Sequence, residues 1–368
     1  MRFLDWHALG IRLVPVALAT STITLACTSA PPAASTAATT APAAAASAAP
    51  AAQPAAAAPA AAASLAGKKF YWLQGLMGHP VHQLVQKGFM EGCKQQQIDC
   101  EIIGTPNDDI ASALTLVGQA NAKGNMAGIS VWSGGSPLWI PEFQKLPQDM
   151  PMAIPHFVVP EGFYPAKHVY VISADAGKYA HEAADAMCNQ LKSQGQDQAG
   201  SVAVTQGSVN VTENTVSAEF TAEMGQVCPK LKVLFPQEEG FDAPKAIAKA
   251  VAIMQANPDL VGALSTTGGG PTTWAGAQKQ AGKKIPAIGM DYTRVNLDLV
   301  KSGDIFGIVA QPLWDESMKT AEMLKRSALG ETLPYRTVLP APIVTKDGTG
   351  ENGLDHYYQI INQIPDFR

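Results

Sequence analysis

Two polar side chains follow predicted strands in the second half of the sequence, and both carry groups that can bind a small polar molecule. Asp291 follows the predicted strand Ile285–Met290, and Gln311 comes shortly after the predicted strand Ile305–Val309. The carboxyl ends of parallel strands point into the crevice in which open α/β sheets bind ligands. A carboxylate accepts hydrogen bonds from hydroxyl groups and an amide both donates and accepts them, so we expect both residues to contact a ligand. The alternative for Asp291 is to cap the next predicted helix, Val295–Lys301.

The sequence lacks the local motifs of several common enzyme sites. There is no Gly-x-Ser-x-Gly and no His-Glu-x-x-His, and the seven histidines are scattered along the chain. His79 and His82 share one face of a predicted helix, as a metal pair would, but no third ligand is apparent. We therefore predict a protein that is not an enzyme and that holds neither a cofactor nor a metal.

Two series of β–α units are predicted from Lys68 onward, because short apolar runs alternate with longer amphipathic segments. The predicted strands of the first series are Phe70–Gln74, Glu101–Gly104, Gly128–Trp132 and Pro151–Val159. Those of the second series are Val169–Ser173, Ser201–Thr205, Lys232–Pro236, Val261–Ser265, Ile285–Met290 and Ile305–Val309, followed by one strand-like segment, Thr337–Val344. This pattern indicates two successive α/β sheets, between which the chain crosses more than once.

The composition fits a globular protein with two domains. The chain has 368 residues, of which 46% are hydrophobic. Its net charge of -5 provides no basic field that would attract nucleic acid phosphates. Nucleic acid is therefore not an expected partner.

Residues 1–27 are predicted to be an export signal. Arg2 and Arg12 precede or flank an apolar stretch that Pro15 and several Ser and Thr residues interrupt. The stretch is thus shorter than the ~20 apolar residues that a membrane-spanning helix needs. Ala26 before Cys27 resembles a lipobox, which predicts lipidation of Cys27 after cleavage. Thr24 and Leu25 depart from the usual lipobox order, so an ordinary secreted protein cut nearby is the alternative.

Residues 28–66 are predicted to be an unstructured linker that holds the folded part away from a membrane. From Thr28 to about Ala63 they are almost entirely Ala, Pro, Ser and Thr, without large apolar side chains that could offset the entropy of folding. Repeated prolines interrupt any helix. The segment contains no Lys or Arg, which excludes a basic DNA-binding helix-turn-helix in front of the folded part.

Four cysteines remain if Cys27 carries lipid. Cys93 and Cys100 are close in sequence, and Cys188 and Cys228 both fall in the second series of elements. An exported protein meets an oxidising compartment, so we expect disulfides Cys93–Cys100 and Cys188–Cys228. Buried free thiols are the alternative.

Three segments, in this order and spacing, resemble the sugar-type periplasmic binding proteins of ribose-like ABC importers. They are Ala256-Asn-Pro-Asp259, Ala287-Ile-Gly-Met-Asp291, and Lys301-Ser-Gly-Asp-Ile305 followed by Val309-Ala-Gln311. The resemblance extends from Lys68 to the end of the chain. It implies an α/β fold of two Rossmann-like lobes with parallel sheets, joined by a three-strand hinge, which is the type I periplasmic binding protein fold. Residues 67–173 with 312–340 would form the N-terminal lobe, and residues 174–311 with 341–368 the C-terminal lobe.

The resemblance also implies a function. The chain would be a monomeric, extracytoplasmic solute-binding protein that captures a monosaccharide or polyol between its lobes and delivers it to an ABC transporter permease. Its lipid anchor would hold it in the periplasm or on the outer face of the cytoplasmic membrane. The alternative is an autoinducer-type or other small-molecule binding protein that signals through a membrane receptor.

The ligand-binding residues expected from the resemblance and from the strand ends are Gln74, His79, Trp132, Ser133, His156, Gln206, Asn210, Asn214, Phe241, Thr267, Asp291 and Gln311. Phe241 would place its ring over a sugar face, or alternatively pack onto the following helix. His79 can instead be a helix cap or a surface residue, and Trp132 can belong to the core.

Two departures from ribose-type relatives concern the ligand. His156 and Phe157 replace an Asp and an Arg, and Asn214 replaces another Arg, so single donors stand where relatives have a guanidinium fork. The loop that carries Gln206, Asn210, Glu213 and Asn214 is somewhat similar to the autoinducer-binding branch. The glycine-rich segment from 266 to 273 replaces a polar pair, and because no lysine follows its glycines it is not a P-loop.

Overall fold

The computed structural model describes residues 64–107, 109–132 and 136–364. The predicted export signal, Cys27, most of the predicted linker and Ser133 lie outside the described residues. Among the helices of the described ranges, none has the length and apolar content needed to cross a membrane.

Thirteen strands of the described chain form two separate sheets. In chain order they are β1 Lys69–Gln74, β2 Asp99–Gly104, β3 Met126–Trp132, β4 Met152–Pro155, β5 Val169–Ala174, β6 Ser201–Gln206, β7 Lys232–Val233, β8 Gln237–Glu238, β9 Leu260–Ser265, β10 Ala287–Met290, β11 Gly307–Val309, β12 Arg336–Leu339 and β13 Ile343–Thr345. The first sheet has the order β12-β5-β4-β3-β1-β2 and is parallel throughout. The second has the order β13-β11-β10-β9-β6-β7, with β8 also beside β6, and only β13 runs antiparallel to its neighbour.

Helices connect the strands, as right-handed β–α units require. They are α1 Pro80–Gln96, α2 Ile110–Ala122, α3 Ile140–Phe143, α4 Ala176–Ser193, α5 Val211–Val227, α6 Ala243–Ala256, α7 Gly270–Ala281, α8 Arg294–Ser302, α9 Leu313–Ala328 and α10 Leu354–Asn362. The late helix α9 packs against α1 and against β3 and β4 of the first sheet. The last helix, α10, was not expected from the sequence, and it packs against α8 beside the second sheet.

Short polar side chains begin five of these helices. Asp109, Asp175, Asn210, Asp242 and Thr293 each accept a hydrogen bond from the backbone N–H three residues later. Such a bond satisfies one of the N–H groups that the first turn leaves without an intrahelical partner. The capping position before α8 thus belongs to Thr293, and the side chain of Asp291 is left for another role.

The chain passes from one sheet to the other three times. The passages follow β5, β11 and β12, so the two α/β lobes are joined by three segments, as the predicted fold requires. We name the lobe around the first sheet the first lobe and the other the second lobe. The third passage lies within the strand-like segment Thr337–Val344, which forms two strands in different sheets, β12 and β13. Pro340 and Pro342 lie between them and have no N–H with which to continue a ladder.

One further predicted strand differs in the structure. Lys232–Pro236 was expected as a continuous strand, and instead two short strands, β7 and β8, each pair with β6. Phe235, between them, is 89% exposed. β7 and β8 lie at the edge of the second sheet, where one side of a strand has no neighbouring strand. Little apolar surface is buried there, which explains the interruption.

Both predicted disulfides are present in the structure. Cys93 near the end of α1 is bonded to Cys100 in β2, with Cα atoms 6.3 Å apart. Cys188 in α4 is bonded to Cys228 directly after α5, with Cα atoms 5.9 Å apart. Each bond joins a helix to the element that packs beside it, one in each lobe.

Candidate functional site

A cavity of about 530 Å³ lies between the two lobes. It is lined by residues at or just after the carboxyl ends of strands from both sheets. The first lobe contributes the segments after β1, β2, β3 and β4, and the second lobe those after β6, β8, β9, β10 and β11. This is the place where parallel α/β sheets bind small molecules, because the strand-to-helix loops of both sheets converge there.

The structure brings most of the expected ligand-binding residues to this cavity. The cavity-lining residues among them are His79, Trp132, His156, Asn210, Phe241, Thr267, Asp291 and Gln311. Gln74, Gln206 and Asn214 do not line it, and Ser133 is not among the described residues.

The three glutamine and asparagine side chains that miss the cavity are bonded within the wall behind it. Gln74 is buried, and its Oε1 accepts from Trp72 Nε1 at 3.1 Å and from Gln86 Nε2 at 2.9 Å. Gln206 is also buried, and its Nε2 donates to Asn214 Oδ1 at 3.1 Å. Successive side chains along a strand point to opposite faces of the sheet. The side chains of Gln74 and Gln206, the last residues of β1 and β6, are buried in the protein and do not line the cavity.

Trp132 forms the centre of an aromatic wall in the first lobe. Its ring stacks on His156 with centroids 4.6 Å apart and an interplanar angle of 15°. His82 and Phe157 meet the same ring edge-on, at 5.7 Å and 5.5 Å. On its inner side Trp132 packs against Trp72 of the core, 5.7 Å away. Trp132 is therefore both a core residue and a wall of the cavity.

The two histidines at the start of α1 are neutral hydrogen-bonding groups. Nδ1 of His82 lies 2.8 Å from the carbonyl oxygen of Gly75, which can only accept, so Nδ1 carries the proton and Nε2 is an acceptor. Burial lowers the pKa of His82 to about 4. His79 occupies the N-cap position of α1 without making a capping bond, and burial lowers its pKa as well. Neither residue adds positive charge to the cavity.

His156 is paired with a buried carboxylate. Its Nδ1 lies 3.1 Å from Oε1 of Glu316, a residue of α9 with no exposed side-chain surface. Burial by itself lowers the pKa of His156, but the negative charges of Glu316, Asp291 and Glu213 outweigh it and raise the pKa above its ordinary value. The protonated form is thus favoured, and His156 is the positively charged side chain of the aromatic wall.

Asp291 lines the cavity with a carboxylate that is not paired with any side chain in the described ranges. The residue is 3% exposed, and its Oδ1 has no hydrogen-bond partner among the described residues. Burial raises the pKa of Asp291 to about 7. The backbone at Gly268 approaches closely, since a Cβ there would lie 2.4 Å from Oδ2, so only glycine permits this arrangement. An acceptor buried without a partner is costly, which is expected where a ligand supplies the donor.

Glu213 organises the loop after β6. Its carboxylate accepts from the backbone N–H of Gly207 at 2.6 Å, from Asn210 Nδ2 at 2.8 Å and from Thr266 Oγ1 at 2.7 Å. In return Asn210 Oδ1 accepts from the N–H of Glu213 at 2.9 Å, as the N-cap of α5. Glu213 lines the cavity, although its hydrogen bonds are made within the protein.

Phe241 and Gln311 complete the wall of the second lobe. The Phe241 ring is 45% exposed and lies against Gly207, where a Cβ would be 2.6 Å from its Cε1. The ring is thus available as a flat apolar platform. Gln311 is buried, and its Nε2 donates to the hydroxyl of Tyr179 at 3.2 Å, which leaves its carbonyl oxygen as an acceptor.

Sequence reasoning missed several lining residues. They include Thr105, Asp109, Ser136, Trp139, Tyr179 and Glu213. The Asn-x-x-Glu spacing of a capping box was a signal for Glu213. Tyr179 lies inside a helix, four residues after an N-cap, and nothing in the local sequence marks it as a cavity residue. No group of three metal-ligating side chains is found in the described ranges.

The fold is matched in known proteins. Residues 159–332 match a family model described as "Periplasmic binding protein domain". A carbohydrate transporter solute binding protein from Agrobacterium radiobacter, in complex with D-arabinose, is similar with a TM-score of 0.68 at 17% identity, covering 77% of this chain and 96% of its own. A sugar-binding protein of a sugar ABC transporter from Bacillus halodurans gives 0.67 at 20% identity, covering 79% and 100%. A glucose-galactose binding protein from Geobacillus stearothermophilus gives 0.66 at 18% identity, covering 76% and 97%.

The matched segment spans the end of the first lobe and most of the second, and the structural similarity extends over both. Residues 159–332 therefore match the periplasmic binding protein domain model, and the described part of the chain has the type I fold of the sugar-type periplasmic binding proteins.

Proposed function

We propose that this protein is an extracytoplasmic solute-binding protein that captures a monosaccharide or polyol between its lobes and delivers it to an ABC transporter permease. The cavity of about 530 Å³ at the carboxyl edges of two parallel sheets carries this proposal. The similar proteins named above, one with D-arabinose bound, support it.

Binding would use both polar and apolar contacts. The Asp291 carboxylate accepts hydrogen bonds from hydroxyl groups of the ligand. A hydrogen bond to a charged acceptor is stronger than one to a neutral acceptor. Phe241 supports the apolar face of the ligand ring. Trp132 and His156 close the opposite side from the first lobe. Because these groups belong to different lobes, a ligand contacts all of them only when the lobes close on it.

We propose that the ligand is delivered without chemical change. The protein would release the same molecule that it bound, and would act as a monomer. Cys27 would carry the lipid anchor, and residues 28–66 would let the lobes reach the permease while the anchor stays in the membrane. Two acyl chains give stable anchoring where one is marginal. Cys27→Ala should release the protein from the membrane fraction, and unchanged membrane partition would contradict the anchor.

A thermal-shift screen followed by calorimetry tests the binding function. The exported protein would be mixed with monosaccharides, polyols and, as the alternative class, autoinducers. A ligand that binds only the folded state raises Tm by mass action. We expect a sugar or polyol to raise Tm and to be recovered unchanged after incubation. A response to autoinducers only, or conversion of the ligand, would overturn the proposal.

A further inference from the structure

The cavity has an excess of carboxylates over positively charged side chains. Asp109, Glu213 and Asp291 line it, and Glu316 lies directly behind His156. His156 is the cationic partner, since His79 and His82 are held neutral by burial. None of the described lining residues is Lys or Arg. The cavity therefore has a negative potential that its own side chains do not compensate.

Three of the four carboxylates already have partners. Asp109 accepts from the backbone N–H of Ser112 at 3.1 Å and from its hydroxyl at 2.6 Å, as the cap of α2. Glu213 holds the loop after β6, as described above. Glu316 is paired with His156 through Oε1, although its Oε2 has no hydrogen-bond partner among the described residues. Asp291 has no such pairing, and its Oδ1 is buried without a hydrogen bond from a described residue.

The other polar groups of the cavity lining include acceptors and donors. Nε2 of His82 is a lone-pair acceptor, because Nδ1 carries the proton. The Tyr179 hydroxyl accepts from Gln311 Nε2, so its proton is left as a donor, and the indole N–H of Trp139 has no partner among the described residues. What the lining lacks is positive charge to balance Asp291, so it favours a ligand that brings a cationic donor and disfavours one that brings negative charge.

We propose that the physiological ligand carries a protonated primary amine that pairs with Asp291, as in an amino sugar or an amino polyol. This inference rests on the proposed function and names the ligand class of the same cavity. An ammonium group has three donors and no acceptor, and it compensates the charge of a buried carboxylate, which a hydroxyl does not. Sugars bearing a carboxylate or phosphate would meet uncompensated negative charge and are excluded.

Calorimetry with matched ligand sets tests this inference on the full exported protein. For the gluco, galacto and manno series, the neutral hexose, its 2-amino form, its N-acetylated form and its uronate would be compared. We expect at least one amino sugar to bind ~10-fold or more tightly than its neutral parent and its N-acetylated form, and uronates not to bind. Asp291→Asn should bring the amino and neutral forms to within about threefold of each other.

Asp175→Asn is the matched control, because Asp175 is also a helix-capping carboxylate but does not line the cavity. It should leave the preference for the amine unchanged. Equal or tighter binding of neutral hexoses by the unaltered protein would overturn the amine inference and leave the proposed function standing. Absence of binding by every sugar, amino sugars included, would overturn both. Loss of the amine preference in Asp175→Asn but not in Asp291→Asn would overturn the assignment to Asp291.

Discussion

His156 and Asp291 occupy equivalent positions in the two lobes and face the same cavity. His156 directly follows β4 and Asp291 directly follows β10, and both have a left-handed backbone, with φ values of 71° and 72°. In each case the backbone N–H donates to the neighbouring strand, to Ile172 at 2.7 Å and to Val309 at 2.8 Å. Such a conformation costs a non-glycine residue ~1 to 3 kcal/mol and persists where the surroundings impose it. The strain turns one basic and one acidic side chain toward the cavity from opposite lobes.

Replacing Asp291 should remove binding. Asp291→Ala deletes the buried acceptor, and loss of two charge-assisted hydrogen bonds of about 1.5 to 3 kcal/mol each predicts affinity weaker by about 100-fold or more. Calorimetry with the tightest ligand of the screen measures this. Asn214→Ala is the control, because Asn214 is a sequence-predicted site residue that does not line the cavity. Full affinity in the Asp291 variant, or equal losses in both variants, would place the site elsewhere.

Breaking the pair of His156 and Glu316 should destabilise the first lobe. His156→Ala leaves the fully buried Glu316 carboxylate without its cation, and such a loss costs about 3 to 5 kcal/mol. The double variant with Glu316→Gln should recover part of this, because no buried charge then remains unpaired. Urea unfolding of the two single variants and the double variant gives the coupling free energy. Additive effects would show that the two side chains do not interact.

Ligand binding should bring the lobes together. Leu138 in the first lobe and Val209 and Val211 in the second are 62%, 72% and 54% exposed. They stand in or beside loops that line the cavity, so closure would bury them and add apolar stabilisation. Small-angle scattering should show a smaller radius of gyration with ligand, and Asp291→Ala should show no change at the same concentration. Binding without compaction would mean that the lobes do not move.

The two disulfides should differ in their contribution to stability. Cys188–Cys228 closes a sequence separation of 40 residues and Cys93–Cys100 one of 7. The loop-entropy model gives about 4 kcal/mol for the longer loop and about 2.5 kcal/mol for the shorter one. Unfolding of the double Ser variant of each pair tests the order. A larger loss for the shorter loop would contradict the model for this protein.

The ligand-free protein should become less stable as pH rises through neutrality. Burial raises the pKa of Asp291 to about 7, so the folded state binds this proton more tightly than the unfolded chain does. The resulting stability is complete below about pH 4 and is lost as the pH rises through about 7, with a magnitude on the order of 4 kcal/mol. Asp291→Asn should therefore be more stable than the unaltered protein at pH 8, with a smaller difference at pH 5.

Denaturant unfolding of the ligand-free protein at both pH values measures this effect. Burial also raises the pKa of Glu239 to about 7, and this carboxyl lies outside the cavity. The Asn variant of Asp291 should therefore keep a residual dependence on pH in the same direction. Equal pH dependence in both proteins would show that Asp291 has an ordinary pKa.

The sequence by itself determined the class of fold and the order of its elements. Alternation of apolar runs with amphipathic segments is a local property, and so are caps such as Asp175 and Asp242. The positions of Asp291 and Phe241 next to strand and helix ends were also visible, because the carboxyl edge of a parallel sheet is where such loops must gather. Both disulfides followed from cysteines at the ends of neighbouring elements.

Only the tertiary structure decided whether the side chain at the end of a strand points into the cavity or into the protein. Gln74 and Gln206 lie at the ends of strands, where ligand-binding residues were expected from the sequence. Their amides nevertheless point into the wall behind the cavity, because the face that a strand residue takes depends on the register of the strand with its neighbours. Tyr179 reaches the cavity from within α4, and Glu316 pairs with His156 across 160 positions of sequence. No local pattern encodes such contacts. Glu316 meets His156 because α9 packs against the first sheet.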